Sequence, residues 1–133
     1  LEWHNMTNLN DLTVDSLVVG SYTLPIPEVQ TLTDHGAIGI KHGIVRLNKG
    51  AAINATLAKP IAGTDDFKML VIVAVTAWAN TVTAPEGFGN PLTSCVIEGE
   101  DVATFAGAIG DTLTVVAYNG AWYVKGMHGV GVA

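Results

Sequence analysis

The segment GDTLTVVAYNGAWYVKG, residues 110–126, constrains the fold more than any other part of this chain. Asn119-Gly120 is a residue pair that favours a two-residue type I′ turn, and runs of β-branched and aromatic residues flank it. The turn predicts an antiparallel hairpin. It fixes four pairs across the two strands: Tyr118 with Ala121, Ala117 with Trp122, Val116 with Tyr123, and Val115 with Val124.

Both faces of this hairpin are rich in apolar side chains. One face has the composition of an ordinary core: Leu113, Val115, Ala117, Trp122 and Val124. The other face carries Thr114, Val116, Tyr118, Ala121, Tyr123 and Lys125. An antiparallel sheet in a small domain usually leaves one face in water, and this second face is too apolar for that. We therefore predict that another copy of the chain covers it, with four residues at the subunit interface: Val116, Tyr118, Ala121 and Tyr123.

Short strands and turns dominate the rest of the sequence. HGAIGIKHGIVRLN predicts two strands around Gly43, and AAINATLAKP predicts a strand with Ile53, Ala55 and Leu57 on one side. The apolar run FKMLVIVAVTAW predicts a central strand buried on both faces, and IAGTDD is a turn cluster. About nine strands with short turns predict an all-β fold with very little helix, either an antiparallel β-sandwich or a small barrel-like body.

The chain divides at PIPE, residues 25–28, which is typical of an extended linker. We expect residues 1–28 to form an N-terminal arm with one or two short strands, and residues 29–133 to form the β-rich domain. The arm begins with polar sequence in which Trp3 is the large apolar anchor, and such segments are often ordered by a partner. Because the sequence begins at Leu1 and not at Met, we expect a processed or trimmed product.

Composition argues against several functional classes. Hydrophobic residues make up 49% of the chain and charged residues 14%, which indicates a β-rich protein that hides much of its surface in an assembly. The net charge is −6, and the six Lys and Arg residues are scattered, so neither nucleic acid nor an anionic membrane surface is an expected partner. The single cysteine, Cys95, excludes an internal disulfide framework, and we expect it to be a small core residue.

The sequence carries no motif typical of catalysis. It contains neither a G-x-S-x-G elbow nor a phosphate-binding glycine loop, and we predict no enzymatic activity and no cofactor. Three histidines precede a glycine, as is typical of turns and strand ends: His35, His42 and His128. A metal site where they meet, or on a threefold axis, is the alternative that we do not favour. The carboxylates at residues 65–66 fit a turn in which Asp bonds its own backbone better than an acid–base pair. Those at residues 98–101 fit a solvated turn better than a Ca²⁺ site.

Aromatic residues are the candidate contacts for a carbohydrate. Six are of interest: Trp78, Phe88, Phe105, Tyr118, Trp122 and Tyr123. Aromatic side chains in strands more often pack in cores or interfaces. The hairpin register places Trp122 on the core face and Tyr118 and Tyr123 on the opposite face, where we favour subunit packing over a glycan contact.

Three segments spread over about residues 31–130 carry a family resemblance. They are LTDHGAIGIKHGIVRLNKGAAINATLAKPIAGTDD, ANTVTAPEGF and ATFAGAIGDTLTVVAYNGAWYVKGMHGV. They resemble the β-domain of tailed-bacteriophage virion surface proteins, a group that includes capsid decoration (cement) proteins, head-fibre proteins and tail-fibre modules. The upstream segment NLNDLTVDSLVVG is also similar to the β-rich lead-ins of phage fibres.

The resemblance implies a structural virion protein on the exterior surface of a capsid. It implies a homotrimer at a threefold or quasi-threefold position, with its N-terminal portion on the major capsid protein and its β-domain projecting outward. The candidate capsid-binding residues are then five apolar residues of the arm: Trp3, Leu9, Leu12, Val14 and Leu17. The alternative is a fibre or tail adhesion module that binds a host surface glycan through aromatic residues and loop residues such as Asn80, Glu86 and Asn90.

Overall fold

A computed structural model of the chain describes residues 17–20, 22–24, 26–85, 88–90, 95–96 and 101–133. This part of the chain consists of strands and connecting turns, without a helix, so the all-β prediction is confirmed. It therefore contains no helix that is long and apolar enough to span a bilayer. The strands are β1 (Leu17–Val19), β2 (Tyr22–Leu24), β3 (Glu28–Leu32), β4 (Gly36–Ile38), β5 (Gly43–Leu47), β6 (Asn54–Leu57), β7 (Met69–Ala74), β8 (Thr81–Thr83), β9 (Phe88–Asn90), β10 (Cys95–Val96), β11 (Val102–Phe105), β12 (Thr112–Tyr118), β13 (Ala121–His128) and β14 (Val130–Val132).

Two mixed sheets make up the body. The large sheet has seven strands in the order β10-β9-β13-β12-β7-β5-β3, and the small sheet has five in the order β14-β11-β8-β6-β4. Strands β1 and β2 form a separate hairpin. The buried side chains of both sheets form a single core cluster, which gives a sandwich-like arrangement, and neither sheet closes into a barrel.

The prediction of an antiparallel sandwich was wrong about strand direction in part of each sheet, because both sheets are mixed. From β3 to β8 the chain alternates between the sheets, so that β3, β5 and β7 lie side by side and parallel in the large sheet. Strands β4, β6 and β8 do the same in the small sheet. Parallel neighbours need a long crossover, and each crossover here passes through a strand of the other sheet. The result is a stack of three coils, each with one strand in either sheet.

The C-terminal third adds antiparallel strands to both sheets. Strand β12 pairs with β7, β11 pairs with β8, and β14 pairs with β11. The β12–β13 hairpin contains the four cross-strand pairs predicted from its turn. Asn119 and Gly120 both have positive φ, +48° and +79°, as a type I′ turn requires. A bulge follows Thr114, and the register continues beyond it to His128.

Alternation of side chains fills the core from both sheets. The predicted core face of the hairpin is confirmed, since Leu113, Val115, Ala117 and Trp122 are buried and Val124 packs against the core. The indole Nε1 of Trp122 donates a hydrogen bond of 2.8 Å to the Ala58 carbonyl oxygen. The predicted face of β6 is confirmed as well, with Ile53, Ala55 and Leu57 buried. Strand β7 is central but buried on one face only, because its alternate residues are half-buried on the outer surface.

Two His-Gly pairs, His35-Gly36 and His42-Gly43, lie at the starts of β4 and β5, and each histidine accepts a backbone hydrogen bond there. The Nδ1 atom of His35 accepts the backbone N–H of Asn54, the first residue of β6, at 2.9 Å. The Nδ1 atom of His42 accepts the backbone N–H of Met69, the first residue of β7, at 3.2 Å. Each histidine directly precedes a strand, and its imidazole accepts a hydrogen bond from the first residue of the parallel neighbour of that strand. His35 thus links the starts of β4 and β6, and His42 links the starts of β5 and β7. The prediction that these histidines mark strand ends is confirmed.

Gly43→Ala is expected to destabilise the protein by at least ~2 kcal/mol, whereas Gly36→Ala is expected to have little effect. A Cβ atom at residue 43 would lie 2.0 Å from the Glu28 carbonyl oxygen, at a φ of +144°. A Cβ atom at residue 36 would meet nothing within 4 Å. Chemical denaturation of both variants measures the difference. Equal stability of the two variants would contradict the close approach of β3 to β5.

Candidate interaction surface

The outward face of the small sheet is largely polar. Its outward positions include Asn54 and Thr56 on β6, Thr81 and Thr83 on β8, and Thr104 on β11. These side chains are neighbours across the strands, and the Thr81 hydroxyl donates a hydrogen bond of 3.0 Å to Asn54 Oδ1. This face has the hydroxyl and amide groups expected of a sheet surface in water.

The outward face of the large sheet is apolar over most of its width. We define the apolar band by eight side chains on this face: Val29, Ile44, Phe67, Met69, Val71, Val116, Tyr118 and Tyr123. Two rows of strand neighbours form its middle, one running Val29–Ile44–Val71 and the other Met69–Val116–Tyr123. Val29 is 67% exposed, Phe67 55% and Tyr118 51%. Soluble monomers rarely present so many adjoining apolar groups, which mark interaction sites.

The four predicted interface residues all lie at this surface. Tyr118 is exposed, and Val116, Ala121 and Tyr123 are half-buried by their neighbours within the chain. The rings of Tyr118 and Tyr123 have centroids 6.4 Å apart. Their placement opposite the core face follows the predicted register, and their role between subunits stays a prediction.

The predicted capsid-binding residues fall mainly outside the described residues. These are Trp3, Leu9, Leu12 and Val14. Leu17 is the first residue of β1, where it pairs with Leu24. Cys95 is the first residue of β10. Its side chain is not among those described, so its predicted place in the core stays a prediction.

The six aromatic residues considered for a carbohydrate do not form one platform. Phe88, Phe105 and Trp122 are buried in the core. Trp78 is 44% exposed and lies in the connection between β7 and β8. Asn80, considered as a loop contact for a glycan, is fully buried, and its Oδ1 accepts the backbone N–H of Ile53 at 2.8 Å. Only Tyr118 and Tyr123 of the six adjoin each other on the surface that the structure describes.

Phe67 is the surface residue that the sequence analysis missed. We expected it to begin the β7 strand, but β7 begins at Met69 and Phe67 lies in the preceding turn with a φ of +68°. Its ring centroid lies 5.8 Å from that of Tyr118. The alternation of side chains along a strand could have predicted its exposure. Phe67 lies two residues before Met69 and four before Val71, and both of these side chains are on the outward face.

The turn at residues 61–68, predicted from IAGTDD, is held by its carboxylates. Asp65 is buried, and its carboxylate accepts the Ile61 N–H at 2.8 Å and the Lys68 ammonium at 2.7 Å. Asp66 Oδ1 accepts the Asn119 N–H at 2.9 Å, which joins this turn to the tip of the hairpin. Burial raises the pKa of Asp65, but the hydrogen bonds from Lys68 and Ile61 outweigh it and leave the pKa below its ordinary value.

Two further observations concern charge and metal binding. The Lys49 ammonium and the His35 backbone N–H beside Asp34 lower the pKa of that carboxyl. Within the described ranges, no three His, Cys, Asp or Glu side chains lie close enough together to hold a metal ion. His35 and His42 each use Nδ1 to accept a backbone N–H, and His128 ends β13. The structure thus gives two of these histidines a structural role.

No protein-family model matches the chain, and the search of curated proteins found no significant match.

Asp65→Asn is expected to lower the free energy of unfolding by roughly 1 kcal/mol at neutral pH, because the bond to the Lys68 ammonium loses its charge. The stabilisation from a lowered native pKa is present above the ordinary Asp value of 3.8 and is lost as the pH falls through the native pKa. The stabilities of the two proteins should therefore converge in strong acid. Urea denaturation from pH 2 to 7 measures both curves, and a constant difference over that range would contradict the ion pair.

His42→Leu is expected to cost about 1 kcal/mol of stability, because it leaves the Met69 N–H without its acceptor. His42→Asn places an amide oxygen near the position of Nδ1 and should recover much of the loss. Thermal or urea denaturation of the two variants is the measurement. If Asn is as damaging as Leu, the hydrogen bond to β7 does not stabilise the protein.

Proposed function

We propose that this chain is a structural virion protein that forms a homotrimer and binds the outer surface of a bacteriophage capsid as a decoration (cement) protein. The observation that carries the proposal is the apolar band on the large sheet, which contrasts with the polar outward face of the small sheet. Both sheets already share one core, and the apolar band lies on the face turned away from it. We infer that a surface from outside the chain covers this band.

The energetics favour burial of the apolar band. Apolar surface contributes about 25 cal/mol for each Å² removed from water. A few hundred Å² per copy therefore stabilises an assembly by several kcal/mol before the entropy of association is subtracted. That contribution favours self-association.

The distribution of charge supports a second copy as the occupant. Residues 29–85 and 102–133 carry six cations and four carboxylates, whereas the remaining segments carry eight carboxylates and no cation. Arg46 and Lys125 lie on the outward face of the large sheet, and none of the outward positions on its described strands is a carboxylate. The cationic apolar face of one copy is therefore complementary to the acidic segments of another.

The same charges favour a ring over a twofold dimer. A twofold contact would place the large-sheet face, with Arg46 and Lys125, against an identical cationic face. A cyclic contact places that face against a different surface of the next copy, and it forms a ring when the rotation between copies closes. The family resemblance implies three copies.

Capsid binding rests on the family resemblance and on the arm. The arm residues Trp3, Leu9, Leu12, Val14 and Leu17 are the proposed contacts to the major capsid protein. An acidic protein on the capsid exterior avoids the packaged genome. Binding to the assembled lattice and not to its separated subunits stabilises the lattice by mass action, without chemistry.

An adhesion module that binds a host surface glycan is the second candidate function. The exposed rings of Phe67 and Tyr118 near Asp66 and Asn119 favour it, because stacking rings beside polar groups are suited to a sugar. The continuation of the apolar band to Val29, on the far edge strand of the sheet, favours a protein partner instead.

Capsids that carry the protein are expected to melt at a higher temperature than capsids stripped of it, and purified protein should restore the difference. Calorimetry of stripped, decorated and reconstituted particles measures this effect, and electron microscopy of the reconstituted particles locates the protein. Trp3→Ala should weaken capsid binding but leave the mass in solution at that of a trimer. Identical melting of stripped and decorated particles would rule out the cement role, and glycan binding without capsid binding would support the second candidate.

A further inference from the structure

We propose that Arg46, on the outward face of the large sheet, forms an ion pair with Asp101 of a neighbouring copy of the chain. This inference rests on the proposed self-assembly and names the two residues that determine how the copies are oriented. Arg46 is the fourth residue of β5, and Asp101 directly precedes β11. Both residues are exposed.

The Arg46 side chain differs in its partners from three lysines of the chain. The ammonium groups of those lysines form ion pairs with carboxylates: Lys41 with Glu28, Lys49 with Asp34 and Lys68 with Asp65. In the part of the chain that the structure describes, the Arg46 guanidinium forms neither an ion pair nor a hydrogen bond. Its charge is therefore available to a partner from outside.

The surroundings of Arg46 favour a carboxylate as that partner. Its neighbours across the strands are Thr31 on β3 and Val73 on β7, and Ile44 precedes it on the same face, so none of them is charged. The planar guanidinium binds a carboxylate through two donors in a fixed geometry. Apolar neighbours exclude water from such a pair once a partner covers them, which strengthens the attraction between the two charges.

Asp101 is the described residue whose carboxylate matches Arg46. The other described carboxylates each accept a hydrogen bond from their own chain: Glu28, Asp34, Asp65, Asp66 and Asp111. The Asp101 carboxylate accepts none from the described residues. Glu98 and Glu100 come shortly before it in the sequence, so this part of the chain attracts a cation.

Arg46 and Asp101 lie too far apart to pair within one copy. Arg46 is level with Thr112, the first residue of β12, since both pair with the same residue of β7. The Asp101 carbonyl oxygen accepts the Ala84 N–H at 2.8 Å, and Ala84 lines the same small pocket as Gly120, in the turn at the other end of β12. Strand β12 has seven residues and spans about 20 Å.

The positions of the two residues also suit a ring of copies. They lie at opposite ends of the sandwich and belong to different sheets, so a contact that joins them uses a different surface on each copy. Each copy then contributes Arg46 to one neighbour and Asp101 to the other. Contacts of this kind are heterologous, as a cyclic assembly of more than two copies requires.

An exchange of the two charges tests the pair. We expect Arg46→Glu and Asp101→Arg each to weaken self-association at least roughly tenfold in analytical ultracentrifugation, because each places two like charges in contact. The protein with both substitutions should recover most of the association. Lys41→Glu is the matched control. It changes the net charge by the same amount as Arg46→Glu, at a residue that pairs with Glu28 of its own chain, and it should leave association unchanged.

The remaining outcomes separate this inference from the proposed function. If the wild type associates and either single variant associates equally well, the ion pair does not form, and the proposed assembly stands. If the doubly substituted protein stays as weak as the single variants, Arg46 and Asp101 are not partners, and the inference is overturned. A wild type that stays monomeric at all concentrations would remove the proposed assembly as well.

Two further measurements on Arg46→Glu assign the residue to other roles if the inference is wrong. At concentrations where both proteins are monomeric, its thermal midpoint should match that of the wild type, and a fall of several degrees would assign Arg46 to the fold. Loss of capsid binding with unchanged self-association would make the major capsid protein the partner of Arg46 and overturn the pair with Asp101.

Discussion

The shared core between the two sheets is the constraint on which the rest of the structure depends. Each of the first three coils places one strand in either sheet, so neither sheet can bury its inner face without the other. The inner positions must therefore be apolar in every strand. The outer positions carry no such requirement. Their composition is polar on the small sheet and apolar on the large sheet, and we attribute this difference to what each outer face contacts, since the fold does not require it.

The sequence predicted those parts of the fold that local chemistry determines. Asn119-Gly120 allowed the register of its hairpin to be derived because a two-residue turn with two positive φ angles leaves one pairing available. The buried face of β6 followed from simple alternation. The parallel coils could not be derived in the same way. The pairing of β5 with β7 depends on where the intervening strand lies, and no residue in either strand records that a crossover enters the opposite sheet.

The surface was predicted less completely than the core, for a related reason. The hairpin turn predicted that Val116, Tyr118 and Tyr123 lie on the outward face of the sheet, because the turn fixes the register of both strands. Val29 and Ile44 join them only because β3 and β5 continue the same sheet in parallel. Phe67 was assigned to a strand because its neighbours are strand-forming residues. Its position depends instead on hydrogen bonds to Ala117, which lies 50 residues away.

The turn before β7 shows how local electrostatics can shape a surface. Asp65 is buried with its charge satisfied by Lys68 and by a backbone N–H, and this arrangement fixes the path of the chain into the strand. A residue on that path must then adopt a left-handed conformation. A glycine would meet that requirement at the least strain, yet the chain has an aromatic ring that remains half in water. The centroid of that ring lies 5.8 Å from that of Tyr118, so the ring belongs to the apolar band of the large sheet. The fixed turn thus adds an aromatic side chain to the apolar band, and this band supports the proposal that the large sheet is one side of a contact between chains.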